Sequence, residues 1–283
     1  LEFRRVLFRS AAPVQEVTPQ RRLISVKTDV LDLSIDLQGG DVVRAALPAY
    51  PVALETPDSP FILIDPRNQF AVQTGLIGRD GTDKPGERPT FSSSAENYLL
   101  NEADELIVPL YLQMPSGAEI TKRFIFSRGD YLVRIEYDVV NSTSAEMQTA
   151  LFAQLRRDSA PPAVRQENAM GLQPFVGGAT ATVDALYNKL EFDDLEEETF
   201  RQKLEGGYMA MVQHYFVTAL VPVGQGPFNY NARKLGGRDI YVMGYTAPAL
   251  TVAAGETGKI TTQLYIGPKD QYRLQEIAAG LDL

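Results

Sequence analysis

The sequence predicts an all-β protein: a large β-sandwich followed by one C-terminal amphipathic α-helix. Three observations carry this. Two long stretches alternate strictly between apolar and polar residues, the period of a half-buried strand. Many further short apolar runs are separated by glycine- and proline-rich turns. A clear helical period appears only after residue 268.

The first alternating stretch covers residues 31–37. Leu31, Leu33, Ile35 and Leu37 fall on one face; Asp32, Ser34 and Asp36 fall on the other. Gln38-Gly39-Gly40-Asp41 supplies two residues free to take positive φ, and residues 42–47 begin the return strand. Pro57-Asp58-Ser59-Pro60 breaks the chain before a strand at 61–64, and the charged, glycine-rich stretch 75–89 reads as an exposed loop. The second stretch follows Ser127-Arg128-Gly129-Asp130, where Tyr131, Val133, Ile135, Tyr137 and Val139 alternate with Leu132, Arg134, Glu136 and Asp138. Its partner strand spans 121–126, so Arg-Gly-Asp is read as turn chemistry and not as an adhesion motif. Further strands are expected at 148–155, 208–212, 215–221, 240–245 and 260–266.

In the terminal helix Leu274, Ile277, Ala278 and Leu281 follow at i, i+3, i+4 and i+7 after Pro268, giving about three turns with one apolar stripe. That stripe either packs on the sandwich as plain core or also sets the position of whatever follows it. A weaker helix is expected over 195–204, where acids precede Arg201. The expected organisation is a leader and tether over 1–22, a β-domain over 23–267 and the helix over 268–283. Within the leader, LEFRRVLFRS lacks the apolar core of a signal peptide and reads as foreign or disordered sequence.

Composition narrows the chemistry. The 283 residues carry a formal charge of −9, which disfavours nucleic acid and broad docking on anionic surfaces. There is no cysteine, which removes disulfides, thiolate catalysis and cysteine-ligated metals. His214 is the only histidine, too few for a multi-histidine metal site. The acidic run Asp193-Asp194-Leu195-Glu196-Glu197-Glu198 lacks the spaced ligands and central glycine of a calcium loop. Gly75-Leu76-Ile77-Gly78-Arg79-Asp80-Gly81 lacks the lysine of a phosphate-binding loop, and no Gly-x-Ser-x-Gly elbow occurs. No cofactor, metal or catalytic residue is expected. The longest apolar run, 215–223, is too short to span a bilayer and contains Pro222.

Several passages carry a resemblance. The stretch LISVKTDVLDLSIDLQGGDVVRAALPAYP from Leu23, the run Thr74 to Gly81, and Arg128-Gly129-Asp130-Tyr131 are three of them. Others are Gly206-Gly207-Tyr208-Met209-Ala210-Met211 leading into Gln213-His214-Tyr215-Phe216, then Tyr265-Ile266-Gly267-Pro268 and Leu281-Asp282-Leu283. In this order they resemble the periplasmic domain of the YidC family, the bacterial inner-membrane protein insertases, over residues 22–283. Residues 156–205 match that pattern poorly apart from Phe175 and the run Tyr187 to Phe192, and the tryptophan usual after Gly-Gly is Tyr208 here.

The resemblance implies a β-supersandwich like that of galactose mutarotases, set in the periplasm between a first membrane helix and an insertase core. It implies inner-membrane location, nascent inner-membrane proteins as clients of that core, and the Sec translocon with its SecD–SecF complex as partners. The expected role is a non-catalytic interaction module. The other reading is a carbohydrate-binding or mutarotase-like domain, for which Phe175, Tyr187, Tyr208 and Tyr215 are the candidate cleft residues. A mutarotase would pair histidine with a carboxylate, and no sequence feature places one beside His214.

Overall fold

The computed structural model describes residues 22–53, 55–162 and 175–283. Of the leader and tether expected over 1–22, all but Arg22 lies outside the described residues. β1 (Leu23–Lys27) and β2 (Asp32–Asp36) run antiparallel, and the double-glycine turn returns the chain into β3 (Asp41–Pro51). β4 (Pro60–Ile64) and β5 (Ala71–Ile77) both pair with β3, and the short β6 (Ser92–Ser93) and β7 (Asn97–Leu99) follow. A meander comes next: β8 (Glu105–Gln113), β9 (Glu119–Ser127) and β10 (Leu132–Val140). β11 (Met147–Arg157) then pairs with β5.

The second half begins with β12 (Val176–Thr180), β13 (Asn188–Leu190), α1 (Phe192–Glu197) and β14 (Phe200–Leu204). It continues through β15 (Met209–Gln213), β16 (Phe216–Pro222), β17 (Phe228–Lys234) and β18 (Tyr241–Thr246). β19 (Leu250–Val252), β20 (Thr257–Pro268) and α2 (Gln271–Ile277) complete the chain.

Two sheets result. The eleven-stranded sheet runs β14-β17-β18-β11-β5-β3-β2-β1-β7, with β19 beside β11 and β4 beside β3. The nine-stranded sheet runs β13-β12-β15-β16-β20-β10-β9-β8-β6. Alternation decides which residues meet between them. Leu33 and Ile35 of β2 face Phe124, Ile135 and Tyr137 of the other sheet in one buried cluster. Each such side chain contributes roughly 1.5–3 kcal/mol relative to exposure.

The outer face of the nine-stranded sheet divides in two. Over β9, β10 and β20 it carries a network of charges, with Glu136 paired to Arg123 at 3.2 Å, Arg134 at 2.9 Å and Lys259 at 3.1 Å. Over β12, β15 and β16 it is apolar, with Ala179, Ala210, Val217 and Ala219 forming a second buried cluster beneath α2.

Three expectations are corrected. The stretch 75–89 is not wholly an exposed loop: it completes β5, and Leu76 and Asp83 are buried because the stretch folds back over the sheet. The helix expected over 195–204 is instead the short α1 followed by β14, since residues 200–204 pair with β17. The terminal helix has seven residues and not three turns. Gly280 lies beyond it at φ +84°, where a side chain would run into the Leu186 carbonyl, so the place suits glycine.

Candidate functional site

α2 is fastened to the sheet at both ends. Asp270 caps it by accepting a hydrogen bond from the Arg273 amide at 3.1 Å. Arg273 in turn donates to Asp130 at 2.6 Å, which ties the helix to the Arg-Gly-Asp turn. From the apolar stripe, Leu274 and Leu281 are buried in the second cluster and Ile277 packs half-buried at its edge. Tyr208 lies wholly inside this cluster and not in a cleft. Its hydroxyl donates to the carbonyls of Leu186 at 3.0 Å and Gly280 at 2.9 Å, so it anchors the terminal segment. Burial pushes its phenol well above the ordinary range.

Two of the aromatic candidates do come together. Phe175, just before β12, and Tyr187, just before β13, line a cavity of about 240 Å³ with Val212 and Leu283. Lys189, His214 and Lys269 complete its walls. The Lys189 ammonium sits 4.8 Å from the centre of the Phe175 ring, a cation–π contact. His214 occupies the β15–β16 turn at φ +55°, a left-handed conformation that costs a non-glycine residue strain. Burial and the neighbouring Lys269 hold its imidazole below the usual histidine range. Tyr215 stands outside this cavity, 61% exposed, with its ring 3.6 Å from that of His214.

A second cluster, which sequence reasoning missed, lies at the opening hairpin. Lys122 of β9 is fully buried and donates to the carbonyls of Gly40 at 2.7 Å, Gly39 at 3.0 Å and Thr74 at 3.3 Å. Arg88 approaches the same turn from outside and pairs with both Asp41 and Asp83. It occupies the space that a side chain at Gly39 would fill. Gln73 donates to Asp41 at 2.8 Å, and Thr74 shares a 2.9 Å hydrogen bond with Tyr137. Burial lowers the Lys122 ammonium to about 7 and raises the Asp41 carboxyl against the opposing pull of Arg88. The sequence did hold a signal: Ile120, Lys122, Phe124 and Phe126 share the inward parity of β9.

A third surface is an open trough on the outer face of the eleven-stranded sheet. Register aligns Gln73, Gln154, Gly244, Asn231 and Arg201 across β5, β11, β18, β17 and β14. Gln154 donates to Gln73 at 2.9 Å. At the β14 end, Lys203, Asn229 and Arg233 join this row around a hollow of about 560 Å³. Among the described residues, no cluster of histidine and carboxylates is placed to hold a metal, and no helix is long and apolar enough to cross a membrane.

Comparison with known proteins follows the same outline. A solved structure of a protein from Synechocystis sp. PCC 6803 matches with a TM-score of 0.55 at 9% identity, covering 91% of this chain and all of that one. A galactose mutarotase-like protein from Lactobacillus casei gives 0.54 at 10% identity, over 86% of this chain and 99% of that one. At such identity the likeness speaks for the fold, a mutarotase-like β-sandwich.

Sequence relatives are nearer. The membrane protein insertase YidC of Cellvibrio japonicus is 42% identical over 97% of this chain and 51% of its own length. That of Alcanivorax borkumensis is 40% identical over 97% of this chain and 48% of its own. The chain thus spans about half the length of the curated relatives it matches. The YidC periplasmic domain family matches residues 23–283. The chain belongs to the YidC periplasmic domain family.

Proposed function

We propose that this chain is the periplasmic, non-catalytic interaction module of an inner-membrane protein insertase. In this reading it works beside the Sec translocon and its SecD–SecF complex while a membrane core handles nascent clients. The observation that carries the reading is the docking of α2. A seven-residue helix is too short to persist alone, so its order comes from Leu274 and Leu281 buried in the second cluster. The terminal segment is therefore held rigidly against the sandwich, as a part that positions a neighbouring domain must be.

The test is made in the full-length insertase. Ile277→Asp places a carboxylate against the apolar cluster and loosens the helix, costing about 1–3 kcal/mol. Gln275→Asp changes the polar face alone, and Val139→Ala weakens the inter-sheet core by a similar amount without touching α2. Protease protection of an inserted client should fall for Ile277→Asp and stay near wild type for the other two. Equal losses in all three would overturn the positioning role.

The trough favours one second reading, binding of a glycan. Its amides and guanidinium groups suit hydroxyl-rich ligands, and Phe152 lies beside the row in register with Gly75 and Thr246. Titration calorimetry against a sugar panel separates the readings: sub-millimolar heats abolished by Asn231→Ala support glycan binding, and no heat removes it.

A further inference from the structure

The cavity beside β13 gathers three nitrogen bases and no acidic side chain. Its lining comprises Lys189, His214 and Lys269 against Phe175, Tyr187, Val212 and Leu283. Among the described residues neither lysine makes an ion pair or a side-chain hydrogen bond, and His214 Nε2 is buried without a partner. In a chain of charge −9, unpaired cations that converge on a half-open hollow form a local reversal of the protein's field. A buried imidazole nitrogen with nothing to bond, held by a left-handed backbone, is an incomplete arrangement. What completes it is an acceptor carrying negative charge.

The size and the other wall narrow the ligand. A space of about 240 Å³ admits a tetrahedral anion with a short organic stem and excludes a folded partner. Phe175, Val212 and Leu283 give the stem an apolar wall. Outside, Tyr215 at 61% exposure beside His214 and Tyr272 of α2 at 82% put two tyrosines at this end of the molecule. Lysines beside exposed tyrosines are the composition of surfaces that meet a bilayer at headgroup depth.

We propose that this cavity binds a phosphate group, with Lys189 and Lys269 supplying charge and His214 Nε2 a hydrogen bond, and that its bearer is an anionic phospholipid headgroup. Lysine binds phosphate as a flexible point charge and needs no bidentate geometry. Neutral imidazole donates through Nε2 when the proton resides there. The ionisable side chains at the cavity are Tyr187, Tyr215 and the two lysines, none of them a carboxylate; Asp270, which follows Lys269, caps α2 through the Arg273 amide, and Asp282 precedes Leu283.

The lone histidine makes the test direct, because its imidazole gives a single set of ¹⁵N resonances in the 283-residue chain. Inorganic phosphate should move the His214 signal saturably, where chloride of equal ionic strength does not. It should also raise the titration midpoint of His214, since a bound anion favours the imidazolium. Lys189→Gln with Lys269→Gln should weaken this response at least about tenfold while leaving the thermal midpoint in place. No response, or one that survives in the double variant, would overturn the site.

Co-sedimentation decides the bearer. Binding to phosphatidylglycerol vesicles but not phosphatidylcholine vesicles, lost in the double variant, supports the lipid. A phosphate response without vesicle binding overturns the lipid and leaves a site for free phosphate. Both arms read the ligand itself and stand apart from the insertase reading.

Discussion

Two of the places where cations gather in this molecule differ in what surrounds them. At the opening hairpin, Lys122 and Arg88 are enclosed by three carbonyls, two carboxylates and the rings of Phe91, Phe124, Tyr137 and Phe152, the Lys122 ammonium lying 5.3 Å from the centre of Tyr137. Beside β13, Lys189 and Lys269 face a cavity lined by no acidic side chain. The first arrangement meets both cations with counter-charge and carbonyls, although Arg88 Nε finds no hydrogen-bond partner among the described residues, and it bolts the turn between β2 and β3 to the opposite sheet. The second is open. Buried charge paired with carboxylates marks a structural joint, and converging charge without acidic side chains marks a place for something to bind.

The sharpest way to break this contrast is at the joint. Arg88→Ala leaves Asp41 and Asp83 buried without their cation, a loss of about 3–5 kcal/mol. Burial already raises the Asp41 carboxyl, and removing Arg88 raises it further. A raised carboxylate contributes stability at low pH that is lost as pH rises through its folded value. The deficit against wild type should therefore be smaller near pH 5 than at pH 8 in urea unfolding; a deficit that grows on acidification would contradict the assignment.

Leu274→Ala comes next, at about 2–3 kcal/mol, because it empties the second cluster under α2 without touching any charge. Hydrogen exchange should report faster amides in α2 and an unchanged opening hairpin. Uniform acceleration across both sheets would show that the helix is not a separate unit.

A smaller effect belongs to His214. Its folded value lies below that of the unfolded chain, so the unfolded state binds more protons in the window below the ordinary histidine value of about 6.5. Stability is therefore lost as pH falls through that window. His214→Asn, which tolerates the left-handed turn, should flatten this part of the stability–pH curve while leaving the alkaline side unchanged. An unaltered acid limb would place the titrating group elsewhere.

Much of the fold was legible because one physical signal dominates it. β10 shows period 2 without interruption, with Val133, Ile135, Tyr137 and Val139 inward, and β2 shows it with Leu33 and Ile35. The signal failed where side chains stop reporting the backbone. In β5, Gly75 hides a strand inside a glycine-rich stretch, and after α1 the polar run Arg201-Gln202-Lys203 is a strand because β17 pairs with it. The helix stripe was legible, whereas its end at Ile277 was not, and the segment beyond packs Gly280 beside Leu186, nearly a hundred residues away in the chain. Phe175 and Tyr187 were legible as cleft candidates, but their companions Lys189, His214 and Lys269 are assembled by the sheet order and by no local pattern.

The most direct test of the contrast is one urea-unfolding series on three proteins at neutral pH: wild type, Arg88→Ala, and Lys189→Gln with Lys269→Gln. The structure predicts a loss of about 3–5 kcal/mol for the first variant. It predicts a change within about 0.5 kcal/mol for the second, although that one removes two cations. Comparable losses in both variants would show that the cations beside β13 also hold the fold, and would contradict the distinction between a closed joint and an open site.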